Sequence, residues 1–408
     1  MSRMQRIVAI GVSAGVLLLV IGIRVSAGDP APKDEGNTAA AATPAKDSTS
    51  LPAAKPKPQL SPELASLRDQ VRQMLAAQQK QSFNTQQNSP TEIQSICLAF
   101  GCNAEVSLEG TNGQRINGIT CLCWNYPCEG RELLGFRQKH VAARIGYGYQ
   151  EHPGEFLAML AMSRVPDDYP VRVGKDVRKV ADLVEAEKLG CRSGGDSSLK
   201  LIGLAYYVVD PEWKNDLGET WSIGRMIDEE IEQPIVTAPE GGLNRLMGLS
   251  YAVGRRARPG QPTEGQLRRA KDYVAKLHDY ALRLQNADGS WGPYFLAAKA
   301  QSPDEASQLR STGRVLEWLA MSLPEQKLTD SHVRGAVECV TRLVGSQRYQ
   351  WNAASLSTQE IVSLGHALHG LAIYDQRAFK PFDAVEKPAA EKQPSATANR
   401  DAGSPESR

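Results

Sequence analysis

Leu157-Ala-Met-Leu160-Ala161, Leu201-Ile-Gly-Leu204-Ala205, Leu246-Met-Gly-Leu249-Ser250, Leu316-Glu-Trp-Leu319-Ala320 and Leu368-His-Gly-Leu371-Ala372 are five copies of one pattern, and they decide the fold. Two leucines three positions apart lie on one helix face, and a small residue beside the second lets another helix approach. Most residues between and around the leucines are also apolar, so these helices expect to be buried on both faces. The first copies recur after 44 and 45 residues, and the third interval stretches to 70. A period of that size belongs to stacked helical hairpins.

The segments between the copies read differently. Val177, Val180, Ala181 and Val184 form one apolar stripe. Leu267, Ala270, Val274, Leu277 and Leu284 form a second, and Val333, Ala336, Val337 and Val340 a third, each opposite a charged face. Two-sided helices covered by one-sided helices describe an inner ring inside an outer ring. The expectation is therefore an all-α fold, an α/α-toroid of about five helical hairpins over residues 133–383. A plain solenoid competes, but it does not require the two helix kinds to differ so sharply.

Outside this body the sequence changes character. Arg3 and Arg6 precede an uncharged run from Ile7 to Ile23, followed by Arg24 and Val25-Ser26-Ala27-Gly28. Residues 1–27 read as a signal peptide or, given the length of the run, an uncleaved N-terminal membrane helix. Both place the body outside the cytoplasm, in the periplasm or cell envelope, with the membrane as a partner if the segment is retained. Residues 28–60 are a Pro/Ala-rich disordered linker. Ser61-Pro62-Glu63 caps an amphipathic helix within 61–90, which gives way to a Gln- and Asn-rich stretch. Residues 384–408 read as a disordered tail. A net charge of +1 and 6% aromatic residues offer neither a basic surface nor a stacking platform for nucleic acid.

Residues 91–132 hold five of the seven cysteines: Cys97, Cys102, Cys121, Cys123 and Cys128. Ala104–Leu108 and Arg115–Ile119 flank Gly110-Thr111-Asn112-Gly113, the pattern of a short β-hairpin with cysteines at its ends. In an exported protein these cysteines are disulfide candidates. Zinc at the cluster is the less favoured alternative, because the familiar Cys-x2-Cys knuckles are missing. No other cofactor or metal site is recognisable. Cys339, between Val337 and Val340, reads as a buried free thiol.

Lys276, Tyr280 and Gln285, followed by Asn286-Ala287-Asp288-Gly289-Ser290-Trp291-Gly292, resemble the Gln-Trp motif of squalene–hopene cyclases, whose toroid the protein prenyltransferases share. Gln347 and Trp351 are a degenerate echo. The resemblance implies a toroid over roughly 155–380, in which Gln285 caps a neighbouring helix end, Trp291 stacks on Gln285 and Gly289 permits the turn. Leu277 and Ala281 depart from the motif. Gly118–Cys128 and Leu309–Leu319 also resemble an uncharacterised exported planctomycete-type family. The Asp-x-Asp-Asp proton donor of the cyclases is absent, and Asp167-Asp168 reads as part of a turn. The prenyltransferase zinc set has no counterpart either.

Aligning the five copies gives candidate site residues. The position after the first leucine is Ala158, Ile202, Met247, Glu317 and His369 in turn. Glu317 and His369 thus fall at equivalent positions of adjacent inner helices, where each would be costly to bury alone, so they are expected to touch. His152, Glu155, Asp196, Glu240 and Arg310 fall at or near inner-helix starts, where converging N-termini favour an anionic ligand. Capping is the alternative role for Asp196, with Ser311 as a second cap.

Three functions follow. The first is a toroid that binds a small ligand or a protein partner at the ring. The second is a terpenoid-cyclase-like or prenyltransferase-like enzyme acting on an isoprenoid, which needs an aromatic-lined cavity. The third is a polysaccharide lyase or hydrolase, which needs an open groove with His, Tyr and Arg together.

Overall fold

The computed structural model describes residues 60–236, 238–257, 260, 262–346 and 356–386, apart from the side chains of Pro239 and 381–386. All fall in the unit Pro56–Arg408. The expected signal or anchor, the linker before Leu60, the Gln347/Trp351 pair and the tail beyond Glu386 lie outside the described residues. Among those described, no helix is long and apolar enough to cross a membrane.

The fold is mostly helical, with twelve α-helices and nine short strands among the described residues. Six helices make a circuit: α2 (Pro90–Phe100), α4 (Glu155–Met162), α6 (Ser198–Tyr207), α8 (Leu243–Arg256), α10 (Glu305–Ser322) and α12 (Thr358–Glu386). Each packs on the next, and α12 packs on α2. The leucines of the repeat are almost completely buried in this circuit: Leu160, Leu201, Leu246, Leu316 and Leu368 are all at 0% exposure.

The other helices, α1 (Pro62–Gln79), α3 (Gly118–Cys123), α5 (Val180–Leu189), α7 (Ile223–Glu232), α9 (Gly265–Arg283) and α11 (Ser331–Val344), alternate with the circuit along the chain. α9 lies on α8, α11 on α10, and α1 on α11 and α12. Their apolar stripes face inward. On α11, Val333, Ala336, Val337, Cys339 and Val340 are buried. On α9, Ala270, Val274 and Ala281 are buried, together with His278.

Several expectations are corrected. The segment 91–132 does not begin as a hairpin, because residues up to Phe100 belong to α2, a circuit helix held between α4 and α12. Ser89-Pro90-x-Glu92 is a capping box with proline in the first turn, which starts a helix firmly. Beyond it β2 (Glu105–Ser107) pairs antiparallel with β3 (Arg115–Asn117), and β1 (Phe83–Asn84) adds a parallel third strand.

The Gln/Asn-rich stretch before Pro90 is ordered and packed. The Asn84 side chain accepts from the backbone of Gln86 and Gln87, and Asn88 accepts from the backbone of Asn84. Buried amides satisfy the backbone there, so low hydropathy does not mean a loose chain. Val177 belongs to no helix. It lies in β7 (Asp176–Lys179), paired with β6 (Pro170–Val173), and is 59% exposed. Two further two-stranded ribbons, β4 (Leu134–Arg137) with β5 (His140–Ala143) and β8 (Trp213–Lys214) with β9 (Thr220–Trp221), fill connections. The helix α12 runs to Glu386, past the expected start of the tail.

Candidate functional site

The repeat positions have fixed directions. The residue after the first leucine faces the middle of the circuit: Ala158, Ile202, Met247 and Glu317 line one cavity. The next residue faces the preceding circuit helix and is glycine in three copies. A Cβ on Gly203 would sit 2.7 Å from the Leu157 side chain, and one on Gly370 2.9 Å from the Glu317 nitrogen. One on Gly248 would land on the Ser198 carbonyl oxygen. The small residue is there because two helix backbones approach closely.

All six circuit helices contribute to that cavity, which is narrow, about 50 Å³. It has room for a few waters or for the polar head of a small ligand. Leu98, Ala158, Met159, Ile202, Met247 and Val362 make apolar walls, while Gln94, Glu155, Asn244, Arg314, Glu317 and His366 are polar. First-turn residues of α4, α8 and α12 (Glu155, Asn244 and Gln359) place it toward the N-terminal ends of those helices.

Glu317 is the hub and is 1% exposed. One oxygen is 2.6 Å from Nδ1 of His369 and the other 2.8 Å from Nδ1 of His366. The Arg314 Nε lies 3.8 Å from it. Arg314 Nη2 donates to Asn244 and Nη1 is 3.2 Å from His366 Nε2. A guanidinium can only donate, so His366 accepts at Nε2 and presents Nδ1–H to Glu317. Burial pushes the Glu317 carboxyl up. The hydrogen bonds that His366 and His369 donate outweigh burial and hold it well below the usual carboxylate range.

The structure thus brings Glu317 and His369 together. It adds His366, Arg314 and Asn244, which the copy-by-copy alignment passes over. His366 and His369 are one turn apart on α12, as are Arg314 and Glu317 on α10. Polar pairs at that spacing in otherwise apolar helices were the available signal.

At the rim, His152 Nδ1 meets Asp196 at 2.9 Å. This bond raises the imidazole against the opposing effect of burial. Burial pushes the Asp196 carboxyl up, but the bond and charge of His152 bring it below its ordinary value. Ser197 occupies the cap position of α6, so Asp196 acts mainly as the partner of His152. Glu155, half-buried in the first turn of α4, accepts from the backbone of Glu151 and His152. Burial nevertheless keeps its carboxyl above the ordinary range. Glu240 lines the cavity mouth.

Arg310 does not. The helix α10 starts at Glu305, capped by Asp304, so Arg310 is an exposed second-turn residue. Ser311 lies in the helix interior and donates to the Trp291 carbonyl. The expected start was too late because Ser311 and Thr312 look like caps but pack against the Trp291 turn.

In that turn Gln285 Nε2 donates to the carbonyls of Gly289 and His332, both at 2.9 Å. This ties α9 to the first turn of α11. Gly289 has φ 83, and a Cβ there would strike the Gly335 carbonyl. Trp291 is fully buried and donates to the Ala281 carbonyl at 2.8 Å.

The disulfides expected among Cys97, Cys102, Cys121, Cys123 and Cys128 are not formed, since all seven cysteines are free thiols. Cys97 lies on α2 and Cys121 and Cys123 on α3, so they meet in a helix–helix contact instead of stapling strand ends. Burial pushes the Cys97 and Cys123 thiols up. Among the described residues no group of three or more His, Cys, Asp or Glu is arranged to hold a metal ion.

Comparison of the chain with protein-family models, with curated proteins and with solved structures finds no match.

Proposed function

We propose that this protein is an α/α-toroid, with α2 as a sixth inner helix beside the five of the repeat, and that its central cavity binds a small polar ligand. The circuit of neighbours returning to α2 supports the ring. One observation carries the binding reading. Two buried side chains that line the cavity, Gln94 and Arg314, each keep a polar atom without a hydrogen-bond partner among the described residues: Gln94 Oε1 as acceptor and Arg314 Nε as donor. Buried groups of this kind are costly unless something else meets them. Two carboxylates in the cavity, Glu155 and Glu317, and two at its mouth, Glu151 and Glu240, outnumber Arg314. That balance favours a neutral or cationic ligand, such as a polyol or amine, over the anion expected from helix termini alone.

Among the described residues the cavity lining includes no Phe, Trp or Tyr. It therefore supports neither the isoprenoid cyclase nor the lyase arrangement. The test is a thermal-shift screen of the full-length chain against polyols, amino sugars and amines, with farnesyl diphosphate as the isoprenoid probe, repeated on the cavity-filling variant Ala158→Phe. The reading expects a polar stabiliser with saturable effect that Ala158→Phe abolishes. Stabilisation by the isoprenoid alone, or a polar stabiliser indifferent to Ala158→Phe, refutes it.

A further inference from the structure

The opposite end of the circuit has the opposite chemistry. A pocket of about 510 Å³ opens among the later turns of α4, α6, α8, α10 and α12, lined in part by Arg164, Tyr206, Tyr251, Arg255, His369 and Gln376. Among the described residues no carboxylate lines it. Helix C-termini carry partial negative charge and would repel an anion. At the ends of α6 and α10 that charge is already met: Arg256 donates to the Val208 carbonyl, and Arg377 to those of Ala320, Met321 and Leu323. Arg164 and Arg255 are left over, and neither has a carboxylate partner among the described residues. Arg255 lies over the Tyr206 ring, 4.6 Å from its centroid. His369 is tied to Glu317 of the central cavity through Nδ1, and Met162 lines both this pocket and that cavity.

Arg164 is held at a cost. The helix α4 ends in a Schellman arrangement: Val165 N–H bonds the Leu160 carbonyl at 3.0 Å and Arg164 N–H the Ala161 carbonyl at 3.1 Å. The residue at this position adopts the left-handed conformation, and Arg164 has φ 57. Glycine is the usual occupant because it has no Cβ to strain. An arginine bears that strain here, and it lines a pocket that has no acid among the described residues.

We infer that this pocket is a second binding site, which takes a small oxyanion (carboxylate or phosphoryl) between Arg164 and Arg255. The planar guanidinium forks match such a group, and Tyr206 and Gln376 supply polar contacts around it. This site is separate from the proposed central cavity and does not depend on it.

The test is isothermal titration of the full-length chain with citrate and with inorganic pyrophosphate, using glucose as the neutral control. One or both anions are expected to bind saturably at one site per chain, and glucose is not. Arg164→Gly and Arg255→Gln should each weaken binding by about tenfold or more, the scale of one lost charged contact. Arg164→Gly should at the same time melt at or above the wild-type temperature, which separates lost binding from lost folding. Arg314→Met, in the other cavity, should bind the anion as wild type does. The inference is overturned by any of three results: no saturable binding of either anion up to about 10 mM, undiminished binding in Arg164→Gly, or loss in Arg314→Met alone.

Discussion

Replacing Glu317 with methionine tests the centre of the molecule most directly. The carboxylate accepts hydrogen bonds at 2.6 and 2.8 Å from two imidazoles and lies 3.8 Å from a guanidinium. Methionine keeps most of the volume, so little of the loss is a packing loss. What remains is Arg314, 9% exposed, with Asn244 and His366 as neighbours and no other carboxylate within ion-pair distance among the described residues. Removing one partner of a buried pair costs about 3–5 kcal/mol, whereas replacing both by apolar groups is often near neutral. Urea unfolding at pH 7 should therefore show Glu317→Met less stable by about 3–5 kcal/mol at unchanged m-value. The double variant Arg314→Met/Glu317→Met should recover a large part of that. A single variant within about 1 kcal/mol of wild type, or a double variant costing the sum of the two singles, would refute a charge-centred core.

Three other outcomes are expected. Burial of His278 against Trp318, 4.7 Å between centroids, together with the nearby Lys327, pushes the imidazole down from 6.5 to about 4. The unfolded chain then takes the proton first, so stability should fall by about 3 kcal/mol between pH 7 and pH 4, and His278→Gln should remove that component of the pH profile. His152 is raised above 6.5 by Asp196, so its contribution is full below pH 6.5 and is lost as pH rises through the folded value. An NMR titration should show the His152 pKa return toward 6.5 in Asp196→Asn, and an unmoved titration would contradict the pairing. Gly248→Ala forces a methyl against the Ser198 carbonyl, so it should destabilise by about 1–3 kcal/mol, read by thermal unfolding.

The residues that could be read from the sequence are those whose role repeats. Leucine pairs every 44 or 45 residues mean the same packing each time, and the slot after the first leucine keeps its direction from Ala158 to Glu317. That is why the repeat alone pairs Glu317 with His369. What could not be read is what happens once. The helix α2 carries no leucine pair and sits among cysteines, so its place in the circuit depends on contacts with α12, more than 250 residues later. Arg310 looked functional because it stands near an apparent cap, while Arg314, one turn on, is the arginine that enters the cavity.

His366 falls outside the repeat. A periodic reading looks for equivalence between copies, whereas a buried carboxylate needs partners on both of its oxygens, and those come from one turn apart on a single helix. His366 and His369 flank Glu317 in this way, one lining the central cavity and the other the pocket beyond it. Repetition builds the scaffold, and the departures from repetition at 317, 366 and 369, on α10 and α12, build the charge network beside the central cavity. A variant set that restores the consensus there, with apolar residues at 317, 366 and 369, should keep the helical circuit while losing both the charge network and ligand binding in the central cavity. If such a chain still bound the ligand of the wild type, the asymmetry between copies would be packing variation and nothing more.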